Sequence, residues 1–125
     1  MPSKKTGWYH RASESGPNED TVRELVLYIE NDGDLYRQTT TPIMKNLAKK
    51  MLKGTYNHTL AVKGWTYLAN AGAQKYIKEF GGSGNGSYGS FSPADRKAAA
   101  EEFAEAFEAE AEVNPDYIRE LVGKK

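Results

Sequence analysis

Leu25-Val26-Leu27-Tyr28-Ile29-Glu30-Asn31-Asp32-Gly33-Asp34-Leu35-Tyr36-Arg37-Gln38-Thr39 is the stretch on which the fold class turns. Two structures fit it. Residues 25–30 and 35–39 can pair as a hairpin, with the Asp32-Gly33 step supplying a tight turn. Alternatively, the apolar residues form one side of a helix that is broken or kinked near Gly33. The run from Leu25 to Ile29 is continuously apolar and does not alternate as a half-buried strand would, while Val22, Leu25, Ile29 and Tyr36 recur at helical spacing. Helix is the preferred reading. Just upstream, Thr21-Val22-Arg23-Glu24 fits a capping box, which places the helix start at Thr21.

Downstream, Thr41-Pro42 reads as an N-cap followed by proline in the first turn. On the helix it opens, Ile43, Met44, Leu47, Ala48 and Met51 share one side, and Lys45, Lys49 and Lys53 lie opposite with Asn46 and Lys50. Gly54 ends it as a left-handed cap. Asn57 caps a third helix running to about Phe80, with Ala61, Trp65, Leu68, Ala69, Gly72, Ala73, Tyr76 and Phe80 as its inward stripe. Its outward side carries Lys63, Tyr67, Asn70, Gln74 and Lys78. Small residues among large aromatics suit the close approach of a neighbouring helix.

Residues 81–90 are nearly all Gly and Ser, the composition of a flexible connector. Order resumes at Phe91-Ser92-Pro93-Ala94-Asp95, with Ser92 as N-cap and Asp95 near the positive helix end. The alanine-rich fourth helix is expected to bury Ala99, Phe103, Ala106 and Phe107 and to expose Glu101, Glu105, Glu108 and Glu112. A short last helix after Asn114-Pro115-Asp116 offers Tyr117, Ile118, Leu121 and Val122 to close the core. Residues 1–20 read as a disordered leader, within which Trp8-Tyr9 either packs locally or docks on a partner. The expected architecture is all-α: four main helices plus a short terminal one, in a single domain over residues 21–122 with a tail at 123–125.

The chain has 125 residues and a net charge of zero, but the charge is segregated. Residues 41–80 carry seven lysines against Glu79, a net +6, and residues 95–120 carry nine acids against three bases, a net −6. Such placement bears on partners more than on fold. There is no cysteine, which excludes disulfides and thiolate metal sites. No apolar run long enough for a signal peptide or a membrane span follows Met1, so a cytoplasmic location is expected.

The stretch from residue 24 to 81 resembles small uncharacterised proteins met among tailed-phage and viral metagenome sequences. The resemblance is carried by Glu30-Asn31-Asp32-Gly33-Asp34-Leu35-Tyr36-Arg37-Gln38, by Thr41-Pro42-Ile43, by Lys53-Gly54-Thr55-Tyr56-Asn57, and by Trp65, Tyr67, Leu68, Ala73 and Tyr76 leading to Lys78-Glu79-Phe80-Gly81. It covers a little under half of the chain. It implies a phage origin and transfers no catalytic or binding residue.

Catalytic chemistry finds little support. Nucleophilic or general-base catalysis needs a nucleophile, a base and an orienting group. The only histidines are His10, in the leader, and His58, which reads as a solvated first-turn residue. Glu30, Asp32 and Asp34 lack the alternation and terminal glutamate of a calcium loop, and read as turn or surface acids. Gly84-Asn85-Gly86-Ser87-Tyr88-Gly89 fits a dinucleotide signature in letter only, since no strand precedes it. No cofactor or metal is expected, and the chain reads as a non-enzymatic protein. A lysine-rich helical face is the usual solvated side of a bundle, but it also fits phosphate contacts. Its binding version uses Lys45, Lys49, Lys53, Lys63 and Lys78 against a nucleic acid or another anionic partner, with Tyr67 stacking on a base. Arginine is absent from residues 41–80, which counts against base-specific readout. The alternative is a protein–protein module, a host-factor inhibitor or virion component, that uses Glu101, Glu105, Glu108 and Glu112 or the Trp8-Tyr9 segment. Pairing of the two charged faces between copies would give a homo-oligomer.

Overall fold

Asn18, one residue before the first helix, accepts a hydrogen bond from the Thr21 amide at 3.0 Å, and α1 (Glu19–Glu30) starts there. The cap is therefore Asn18. Thr21 is buried inside the first turn, and Glu24 accepts from the Tyr76 hydroxyl at 3.3 Å instead of reaching back to Thr21. The computed structural model describes residues 16–80 and 91–123. The leader before residue 16, including Trp8 and Tyr9, the connector at 81–90 and the last two residues lie outside the described residues.

The stretch after Leu25 is helical, and the described residues contain no strand. α1 ends at Asn31, and Asp32 starts a new turn, α2 (Gly33–Leu35), by accepting from the Leu35 amide at 2.8 Å. The break expected near Gly33 is thus a stop and a fresh cap. From α2 the chain passes through a π turn (Tyr36–Thr40) straight into α3 (Thr41–Lys53). Thr41 is not an N-cap: both Thr40 and Thr41 have right-handed helical backbone, and Thr40 makes no side-chain cap. The Thr41 amide bonds the Tyr36 carbonyl, five residues back. A proline inside a helix removes one donor and crowds the preceding turn, and a widened π turn directly before Pro42 accommodates both effects. The reset also changes the helical phase, so Leu35 is buried and Tyr36, expected inside, is 52% exposed.

Gly54 ends α3 with φ 76°, the left-handed cap expected of it. Asn57 then accepts from the Leu60 amide and starts α4 (His58–Phe80). α4 is the central helix. Its register against α5 (Pro93–Val113) is antiparallel: His58 meets Glu108, Trp65 lies on Phe103 and Phe107, and Tyr76 meets Phe91 edge-on. α1 packs on both α4 and α5 and runs antiparallel to α4, through Tyr28 on Tyr76 and Ile29 on Gly72. A Cβ on Gly72 would meet Ile29 Cγ1 and Cδ1 well inside van der Waals contact, so the glycine permits this approach. α6 (Pro115–Gly123) covers α3, burying Ile118 and Leu121 and setting the Tyr117 hydroxyl 3.6 Å from Met44 Sδ. Phe80, expected on the inward stripe, is 60% exposed at the end of α4.

Asp95 ties the two helix starts together. With Ser92 it forms the capping box of α5, Ser92 N–H to Oδ2 and Asp95 N–H to Ser92 Oγ, both at 3.0 Å. Its Oδ1 accepts from the Asn18 amide at 2.9 Å, so one buried carboxylate holds the entry of α1 as well. Loss of a cap costs about 1 kcal/mol, and the part-buried Ser92 and Asn18 amides lose their acceptor with it. We expect Asp95→Ala to destabilise the fold by about 2–3 kcal/mol in urea unfolding, and Asp95→Asn, which retains one acceptor oxygen, by less.

Candidate functional site

α3 contains four lysines and no acid. Met44, Leu47 and Ala48 are buried, so the helix turns its other side outward: Lys49 and Lys53 are exposed, Lys45 and Lys50 partly so. Lys45, Lys49 and Lys53 stand one above another at about 6 Å per step along the axis. Among the described residues none of the four forms an ion pair. Lys50 and Lys53 also sit in the last turn, where the carbonyl end of the helix favours positive charge.

α4 adds Lys63 and Tyr67 on its exposed side, with Tyr67 68% exposed. Residues 54–57 turn the chain from α3 into α4, and Gly64 faces Ile43 where the two helices touch. Lys78 is separate. It lies about 22 Å further along the α4 axis and lines a groove with Asp32, Asp34 and Glu79, a neighbourhood of mixed sign. Of the six residues expected in one binding face, five fall on the α3–α4 hairpin and one at its far end. Leu52 and Leu60, 50% and 57% exposed, belong to the same hairpin and were not anticipated. Their apolar character gave them no place in a charge-based reading.

The acidic row on α5 is not the uniform outer face expected from its sequence. Glu105 and Glu112 are exposed, Glu101 is partly buried, and Glu108 turns inward to the start of α4. There it accepts from the Tyr56 hydroxyl and meets His58 Nδ1 at 2.6 Å. His58 is therefore not a plain solvated residue. It has a carboxylate partner fifty positions away, a separation that no local spacing reveals. Ala106, expected in the core, is exposed in consequence of the same rotation of α5.

The hydrogen bond to Glu108, aided by the charges of Glu108, Glu105 and Glu101, raises the His58 pKa above its ordinary 6.5. The protonated ring is favoured in the fold, so the pair's stabilisation is complete below about pH 6.5, the unfolded value, and is lost as pH rises through the higher folded value. An NMR titration of the His58 ring protons should show a raised midpoint that falls in Glu108→Gln; an unchanged midpoint in that variant would contradict the assignment. Burial, with the bond to Glu108 second, raises the Tyr56 hydroxyl pKa and keeps it protonated as the donor.

Asp32, considered with Glu30 and Asp34 as a metal loop, is already committed. It caps α2 and pairs with Lys75 Nζ at 2.7 Å, and that hydrogen bond holds its carboxyl below the usual range. Among the described residues no group of three His, Asp or Glu side chains is placed to hold a metal ion. The glycine signature at 84–89 and His10 lie outside the described residues. No helix among the described residues is long and apolar enough to cross a membrane. No protein-family model, curated protein or solved structure matches this chain, so the functional reading rests on the geometry of its own surface.

Proposed function

We propose that this chain is a non-enzymatic binding protein that engages the sugar–phosphate backbone of a nucleic acid through the α3–α4 hairpin. The observation that carries the reading is α3 itself: four lysines, no acid, and no ion pair among the described residues. Lys45, Lys49 and Lys53 supply the row of phosphate contacts, Lys63 extends it, and Tyr67 presents a ring on which a base can stack. Lysine is a point charge without the planar fork that reads guanine, so binding is tolerant of sequence. The resemblance of residues 24–81 supplies the setting, an accessory protein of a tailed phage. The acidic face of α5 is the weaker alternative as a partner surface, because Glu108 is held by His58 and Tyr56.

Labelled single- and double-stranded oligonucleotides titrated at low and moderate salt test the proposal. Three to four phosphate contacts imply that a fourfold rise in salt weakens duplex binding roughly 40- to 150-fold. Absence of binding at low salt, or binding that ignores salt, would sink the reading.

A further inference from the structure

A cleft of about 290 Å³ opens where α1, the π turn, α3, α4, α5 and α6 converge. That is the small end of the range for ligand pockets, about 300–1,000 Å³. Five aromatic residues line it: Tyr36, Trp65, Phe103, Phe107 and Tyr117. Ile29, Thr40, Met44 and Ala106 also line it, Glu30 and Glu110 are its charged residues, and no Lys, Arg or His contributes. Neither carboxylate forms an ion pair or a side-chain hydrogen bond among the described residues. A wall of aromatic rings with unpaired carboxylates attracts positive charge, because ring faces are electron-rich and the carboxylates add a net negative field.

A second observation concerns Trp65. It is 2% exposed, and its Nε1–H has no acceptor among the described residues. Buried indole N–H groups ordinarily find a partner, and one left without costs free energy. The indole nitrogen is closed to water, so an occupant of the cleft meets the Trp65 ring and not its N–H.

We propose that this cleft binds a small organic ammonium ion, its methylated nitrogen against the aromatic wall and near Glu30 and Glu110. The site shares Met44 and Trp65 with the inner side of the hairpin but none of its lysines and not Tyr67, so it stands or falls apart from the proposed nucleic-acid face. Choline is the probe, and its uncharged carbon isostere, dimethylbutanol, is the control of equal shape. Two-dimensional NMR follows the Trp65 indole N–H, with Trp8→Phe assigning the two tryptophan signals. Choline should shift that signal saturably and bind at least about tenfold more tightly than the isostere. Glu30→Gln/Glu110→Gln should weaken choline by about tenfold and leave the isostere unchanged. Equal affinities for the two compounds, or an unmoved Trp65 signal, would overturn the proposal; the comparison in the unaltered chain needs no variant to fold.

Discussion

Trp65→Ala should lower the unfolding free energy by about 3–5 kcal/mol, the largest loss expected of any single substitution in this chain. Trp65 is among the largest fully buried side chains. It stacks on Phe103 at 5.8 Å and leans on Phe107 at 6.1 Å, so it is the principal aromatic link between α4 and α5. Its removal leaves a cavity that the antiparallel helices cannot close without breaking the His58–Glu108 and Tyr76–Phe91 registers at either end. A domain of this size has about 5–15 kcal/mol in total, so the variant should unfold at a much lower urea concentration. Trp65→Phe should cost far less, since it retains an aromatic ring and deletes the unpartnered Nε1–H. A large loss from Trp65→Phe and a small one from Trp65→Ala would contradict this account of the core.

Where the sequence carried a local chemical signal, the fold was legible. Lys53-Gly54, Asn57 and the Ser92-Pro93-Asp95 group each mark a helix end through their own backbone chemistry, and each does so in the structure. The choice of helix over hairpin at Leu25 to Ile29 followed from an apolar run without alternation, and it holds. Thr41-Pro42 misled because the same letters that start a helix also fit a proline carried inside one by a π turn. Asn18 caps α1 although Thr21-Val22-Arg23-Glu24, three residues on, fits a fuller capping motif. α5 misled for another reason. Alanines occur all round it, so apolar spacing does not fix its rotation; Trp65 and His58 on the neighbouring helix do. That rotation turned Glu108 inward, exposed Ala106 and opened the aromatic cleft, none of which any spacing within α5 records.

Charge reversal at Lys45, Lys49 and Lys53 should have the largest effect on binding. Each neutralised phosphate contributes nearly one unit to the slope of log affinity against log salt. Losing three contacts therefore weakens duplex binding on the order of several hundred-fold near 0.1 M salt, and three glutamates add repulsion beyond that. The fold should survive the change. All three side chains lie on the outer side of α3, and none is part of an ion pair among the described residues. Only Lys53, in the last turn, favours the helix dipole, so its reversal should cost no more than about 1 kcal/mol. Circular dichroism and thermal unfolding should be close to those of the unaltered chain, which separates lost binding from lost structure. Lys78→Glu, in its mixed groove at the far end of α4, should weaken binding much less.

The salt slope measures the central claim most directly. Duplex affinity determined across a range of salt, for the chain and for Lys45→Gln/Lys49→Gln/Lys53→Gln, counts the phosphates that α3 neutralises. The predicted slope is about −3 for the chain, falling by nearly three units in magnitude in the neutral variant. Equal slopes for the two proteins would place the contacts elsewhere and contradict the assignment of α3 as the binding surface.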